Sequence, residues 1–258
     1  MLRSRIIPCL LVHNKGLVKT TEFKDPKYVG DPINAVKIFN EKEADELIVL
    51  DIDATAEKRG PDFEMIRNLA VECRMPFCYG GGITSVAEAK KIIGLGVEKI
   101  AISAAAINNP SLIKEIAKAV GTQSVVIVLD VKKKGLFGEF EIFTHNGKER
   151  TGIKLNNFLE ILSEIGIGEL VINSIEDDGK MSGYNFKLFD IAREIMDVPM
   201  TILGGAGCLE DIQTAIKRYR TIGAAAGSLF VFKGKYKAVL INYPKRQERD
   251  KLYQIHQE

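Results

Sequence analysis

Short runs of apolar residues alternate with longer segments whose apolar positions recur every three or four residues, almost to the end of the chain. The short runs predict strands at RIIPCL (5–10), ELIVLD (46–51), PFCYG (76–80) and KIAIS (99–103). Four more follow at SVVIVLD (124–130), ELVIN (169–173), PMTILG (199–204) and TIGAAAG (221–227). The longer segments predict amphipathic helices over 31–44, 63–73, 85–96, 111–121, 155–166, 186–196 and 208–219. Asp31-Pro32 and Asn109-Pro110-Ser111 supply helix starts, while Gly96, Gly121 and Gly166 supply stops. Strands alternating with helices imply parallel pairing through helical crossovers, in either an open doubly wound sheet or a closed barrel.

An internal echo favours the barrel. IIPCLLVHNKGL (6–17) returns as VVIVLDVKKKGL (125–136), with Leu11 where Asp130 stands in the second copy. The Gly-rich strand ends GGGI (80–83) and GGAG (204–207) each fall on the third strand of a half. Two four-strand halves, near 1–120 and 121–240, make a single (β/α)8 TIM barrel. The segment GLFGEFEIFTHNGKERTG (135–152) predicts a β-hairpin with an Asn-Gly turn, inserted after strand five. The barrel is expected over 1–243, followed by a charged C-terminal tail over 244–258.

Composition changes the picture mainly by exclusion. With 258 residues and 46% hydrophobic content, the chain can bury one barrel-sized core. A formal net charge of +2 gives no reason to expect a nucleic-acid or membrane partner. No apolar run reaches the roughly 20 residues that span a bilayer, and no signal-peptide core opens the chain, so a cytoplasmic enzyme is expected. Cys9, Cys73, Cys78 and Cys208 match no zinc spacing, and His13, His145 and His256 form no ligand cluster. Inert packing is expected for the cysteines, and neither a metal nor a cofactor is expected.

In such barrels chemistry lies at the C-terminal ends of the strands. That face should carry Leu11, Asp51, Asp53, Ser103, Asp130, Asn173, Asp178 and the glycine turns. Gly81 and Gly82, with Gly204, Gly205, Gly227 and Ser228, could bring backbone N–H groups to phosphate oxygens, so a substrate with two anionic ends is expected. Asp130, aligned with Val126 and Val128, should be an acid in apolar surroundings and so a general acid or base. Asp178 either caps its loop or bonds a substrate hydroxyl. Asp51 has the opposite parity from Glu46 and is expected to hold a neighbouring loop. At the other end, Arg5, Glu46, Lys99 and Glu169 begin strands and could form a charged ring across the barrel bottom.

The motifs RIIPCL, DELIVLDIDAT, PFCYGGGI, GTQSVVIVLD, FTHNGKERTG, GELVINSIEDDGKMSGYN and LGGAGCLED resemble, in order, the cyclase subunit of imidazole glycerol phosphate synthase. The resemblance covers about residues 1–232. It implies a half-symmetric barrel and a glutaminase partner docked on the N-terminal face. Ammonia would then pass through a gate matching Arg5, Glu46, Lys99 and Glu169. It also implies catalysis by two aspartates, of which the second matches Asp130 and the first falls on Leu11.

Other top-face positions depart as well. Cys78 stands for a threonine, Ala101 and Ser103 lie in an AIS for SIN, and Leu203 stands for a serine. Glu176-Asp177-Asp178-Gly179-Lys180 replaces DRDGT, and KGKYKAVLINYPKR (233–246) replaces an acidic tail helix. Losing an acid removes an effect worth about 10²–10⁴-fold. With these departures the chain resembles a paralogous branch that acts with a glutaminase and a third, amidotransferase-like protein, and that resemblance implies an acetamidino group formed on a bacterial surface sugar, from a phosphorylated or nucleotide-sugar substrate. The alternatives are the ordinary histidine-pathway cyclase, with Asp51, Asp53 or His13 supplying the missing acid, and a non-catalytic scaffold that activates a glutaminase.

Overall fold

A computed structural model describes residues 3–135 and 138–253. The first half contains β1 (Arg5–His13), β2 (Gly16–Thr21), β3 (Lys24–Gly30), β4 (Leu47–Asp51), β5 (Phe77–Gly80) and β6 (Lys99–Ile102). The second contains β7 (Val125–Lys133), β8 (Phe140–Thr144), β9 (Glu149–Lys154), β10 (Glu169–Ser174), β11 (Met200–Leu203) and β12 (Gly223–Ala226). A minor ribbon, β13 (Phe232–Lys233) and β14 (Ala238–Val239), follows. Helices α1 (Pro32–Glu41), α2 (Ile52–Ala56), α3 (Phe63–Glu72), α4 (Val86–Gly94), α5 (Ala104–Asn108) and α6 (Ser111–Val120) belong to the first half. Helices α7 (Leu155–Ile165), α8 (Phe186–Ile195), α9 (Leu209–Tyr219), α10 (Ser228–Val231) and α11 (Arg246–Tyr253) complete the order.

The strands β1, β4, β5, β6, β7, β10, β11 and β12 pair in parallel in that order, and β12 returns to β1 through Arg5–Gly223 to Pro8–Ala226. The sheet therefore closes, and the chain is a (β/α)8 barrel. Alternation along each strand sorts the side chains into two cores. Ile7, Cys9, Ile48, Cys78, Val126, Val128 and Val171 fill the inside. A larger shell between sheet and helices includes Ile6, Phe39, Leu69, Phe158 and Phe189. Cys73 is half-buried and Cys208 is exposed.

Two differences from the sequence expectations bear on the site. β1 and β7 both run past the barrel rim, to nine residues each, and continue as three-stranded antiparallel extensions. The hairpin after β7 was expected, and its Leu136 and Phe137 lie outside the described residues. The one after β1 was not, because its turns are Asn14-Lys15 and Glu22-Phe23, all four with positive φ and none of them glycine. The second difference is the tail. Its charged run forms α11, which buries Arg249 and Leu252 and is tied to the N-terminal face. Asp45 there accepts from Tyr253 and from Arg249, and Ile6 N–H donates to the same carboxylate at 2.9 Å. Residues 254–258 lie outside the description.

Candidate active site

At the N-terminal end the first inward residue of four strands is charged, and the four side chains meet. Lys99 Nζ donates to Glu46 Oε1 at 2.7 Å and to Glu169 Oε2 at 2.8 Å. Arg5 donates to Glu169 Oε1 at 2.8 Å and to Glu46, so cations and anions alternate in a closed ring. Thr201 Oγ1 adds a bond to Glu169 at 2.5 Å. Burial would raise the Glu169 pKa, but Arg5 and Lys99 outweigh it and hold the carboxyl down at about 2. The same two carboxylates raise Lys99 against its own desolvation.

The C-terminal end is organised differently. Two cavities open there and share Leu50, Ile52, Asp130 and Asn146. The first, about 400 Å³, is lined by Gly81, Gly82, Ser103 and Asp130, with Arg59 and Asn108. Gly81 and Gly82 have φ of +128° and +71°, and a Cβ on either would lie within 2.7 Å of backbone. Only glycine fits this turn. The second cavity, about 430 Å³, is lined by Leu11, His13, Lys19, Asp130, Asn173 and Asp178 among others.

Asp130 lies where β7 leaves the barrel, paired with Asn173 on β10 and Phe143 on β8. Burial, opposed by a bond from Asn173 Nδ2 at 2.8 Å and aided by nearby Asp178, leaves its carboxyl pushed up to about 6. Asn173 is itself buried, and among the described residues its Oδ1 has no hydrogen-bond partner. That leaves an acceptor beside the acid. Leu11 lies at the related point of β1, paired with Leu50 on β4 and Val18 on β2. It puts an apolar side chain into the same cavity.

Asp178 is buried, and its Oδ2 accepts from Thr20 Oγ1 at 2.8 Å, so it fastens the β2–β3 hairpin as well as lining the cavity. Asp51 lines the first cavity, but its carboxylate is committed to its own loop. It caps α2 through Asp53 N and Ala54 N, and Arg59 grips it with two bonds of 2.8 and 2.9 Å. Gly204, Gly205, Gly227 and Ser228 are buried and line neither cavity. Gly205 O accepts from Gly183 N at 2.9 Å, so that turn is packed under the loop following β10.

The sequence reading missed Lys19. It is 5% exposed, lines the second cavity and makes no ion pair among the described residues. A Cβ built on Gly227 would lie 1.9 Å from Lys19 Nζ, so the strand-end glycine accommodates a cation. A buried ammonium without a carboxylate partner is stabilised by an incoming anion. GLVKTT shows no apolar–polar alternation, and its hairpin has no glycine turn to announce it, so the sequence carried little signal for this lysine.

A family model described as histidine biosynthesis protein matches residues 5–237. A provisionally named imidazole glycerol phosphate synthase subunit, hisF3 of Vibrio vulnificus, is 51% identical over 255 residues, 99% of this chain and 98% of its own. The similarly named hisF2 of Pseudomonas aeruginosa is 48% identical over 244 residues, covering 95% and 97%. The imidazole glycerol phosphate synthase subunit HisF of Alkaliphilus metalliredigens is 35% identical over 230 residues, covering 89% and 91%.

Proposed function

The chain belongs to the histidine biosynthesis protein family, as a subunit of the HisF type, and from that premise we propose that it is the ammonia-using barrel of a glutaminase-coupled synthase. A glutaminase subunit docks on the N-terminal face and releases ammonia at the ring of Arg5, Glu46, Lys99 and Glu169. Past the ring the inside of the barrel is apolar. Neutral ammonia crosses such a passage, whereas ammonium would lose its hydration without compensation. At the far end Asp130 acts as acid and base. Gly81, Gly82 and Lys19 hold the anionic groups of the substrate.

The acceptor is a phosphorylated or nucleotide sugar of a bacterial surface polysaccharide, which gains an acetamidino group, with an amidotransferase-like protein as a third partner. The observation that carries this reading is Leu11. The ring at the bottom is complete, yet the strand end related to Asp130 carries a side chain that can neither take nor give a proton. Two of the more similar relatives bear the numbered names hisF2 and hisF3, which fits additional copies beside an ordinary cyclase. The experiment is to supply the purified chain and its partners with ammonium and, separately, the histidine-pathway ribonucleotide or a UDP-N-acetylhexosamine. Mass spectrometry should find NH in place of O on the sugar only when the chain is present. Turnover of the ribonucleotide at an ordinary cyclase rate, with an unchanged sugar, would refute the surface-sugar assignment.

A further inference from the structure

Counting by two along β1 places Arg5, Ile7, Cys9, Leu11 and His13 on the inward face. His13 is thus the next inward residue above Leu11, about 7 Å further along the strand. It lines the same cavity as Leu11, Lys19 and Asp130. Its Nδ1 lies 2.6 Å from Asp53 Oδ1. The second oxygen of Asp53 accepts Asn14 N–H at 2.7 Å, so one buried carboxylate holds both the ring and the turn beside it. Asn14 Nδ2, a donor, lies 3.0 Å from His13 Nε2. This arrangement puts the imidazole proton on Nδ1 and a lone pair on Nε2. The His13 side chain keeps 35% exposure, and that of Asp53 only 9%. A half-open imidazole backed by a buried carboxylate is the arrangement of a proton-transfer group with a positioning partner.

We propose that His13 is the second catalytic acid and base of this cavity and Asp53 its positioning residue, a His–Asp pair standing one inward step above the position where Leu11 offers no acid. The proposal rests on the ammonia-using reading given above. Ammonia adds to the acceptor carbonyl carbon, forming the C–N bond while the C=O π pair moves onto oxygen. The exposed Asn14 amide swings off Nε2, and the surplus proton on nitrogen passes to the freed lone pair, giving an imidazolium beside the Asp53 carboxylate. That proton then passes from Nε2 to the alkoxide oxygen, giving a neutral carbinolamine and restoring the imidazole. Asp130, in contact with both cavities, remains available for the next proton transfer.

The competing role is purely structural, since the same bonds fix the β1–β2 turn onto α2. The variant His13→Asn separates the two, because its side-chain amide can still donate to Asp53 yet cannot carry a proton. Ammonium-driven turnover is measured with the histidine-pathway ribonucleotide and with a UDP-N-acetylhexosamine, using whichever the wild type converts. His13→Asn should lower kcat by about 10²–10⁴-fold with KM and thermal stability nearly unchanged. Adding Leu11→Asp to that variant should return part of the rate. Asp53→Asn should lower kcat by about 10²-fold or more, because the imidazole populates the wrong tautomer. Nitrogen-15 NMR of the imidazole should find Nδ1–H in the wild type and a mixture in Asp53→Asn. Wild-type turnover by His13→Asn, or a wild-type imidazole protonated at Nε2 alone, would overturn the pair while the ammonia-using reading stands. Failure of the wild type itself on both acceptors would remove that reading, and this proposal with it.

Discussion

The two ends of the barrel treat charge in opposite ways. At the N-terminal end, Arg5, Glu46, Lys99 and Glu169 satisfy one another in a closed ring, and Thr201 uses a further lone pair. At the C-terminal end, among the described residues, Asp130 takes a bond from Asn173, Asn173 Oδ1 has no partner, and Lys19 has no carboxylate. A satisfied network holds a structure. Unsatisfied buried groups cost stability unless a ligand completes them. The contrast separates a self-satisfied ring from an end whose buried polar groups are left open, although the same strands build both.

The sharpest way to break this comparison is to remove the acid at the open end. Asp130→Asn should cut turnover by about 10²–10⁴-fold. It should also stabilise the fold at pH 8. Asp130 has a folded pKa raised from 3.8 to about 6. Its contribution to stability is therefore present below pH 3.8 and lost as pH rises through about 6. Asparagine avoids that loss, a gain on the order of 1–2 kcal/mol after allowing for cavity water. Thermal melts should show Asp130→Asn above the wild type by a few degrees at pH 8, with no advantage at pH 3.5.

A smaller effect is expected at the closed end. Lys99→Met leaves Glu46 and Glu169 with Arg5 alone, and should cost about 2–4 kcal/mol by urea titration. Glu169 is depressed from 4.5 to about 2, so its contribution is present above pH 4.5 and fades as pH falls through about 2. Losing Lys99 should move that acid transition to higher pH, as circular dichroism would record. The smallest effect belongs to the tail. Tyr253→Phe removes one of several bonds to Asp45, at a cost of about 1 kcal/mol.

The barrel was legible because its strands are short, continuous apolar runs between helical segments and the chain repeats itself. The ring was legible only as far as parity, which put Arg5 on the side of Leu11, Lys99 on that of Ser103 and Glu169 on that of Asn173; that this side faces inward came from the closed sheet. Asp130 was legible for the same reason, but its neighbours were not. Lys19 reaches the cavity only through a hairpin whose Asn14-Lys15 turn takes positive φ without glycine. The glycines of GGAG looked equivalent to those of GGGI, yet the loop following β10 packs on Gly205, a contact between distant segments that no local pattern encodes. The tail read only as a charged extension because the eight residues of α11, with Leu252 as their one aliphatic residue, give little periodicity, whereas Arg249 and Tyr253 attach through Asp45, about 200 residues away in sequence.

The central claim is that nitrogen enters through a retained ring and is used by a rebuilt top face. Supplying amide-15N glutamine to the assembled system, with unlabelled ammonium in the buffer, tests both halves at once. The account predicts 15N in the acetamidino group of the sugar, with the label falling to the buffer level in Lys99→Met. Undiluted 15N in imidazole glycerol phosphate at an ordinary cyclase rate, with none on the sugar, would contradict it.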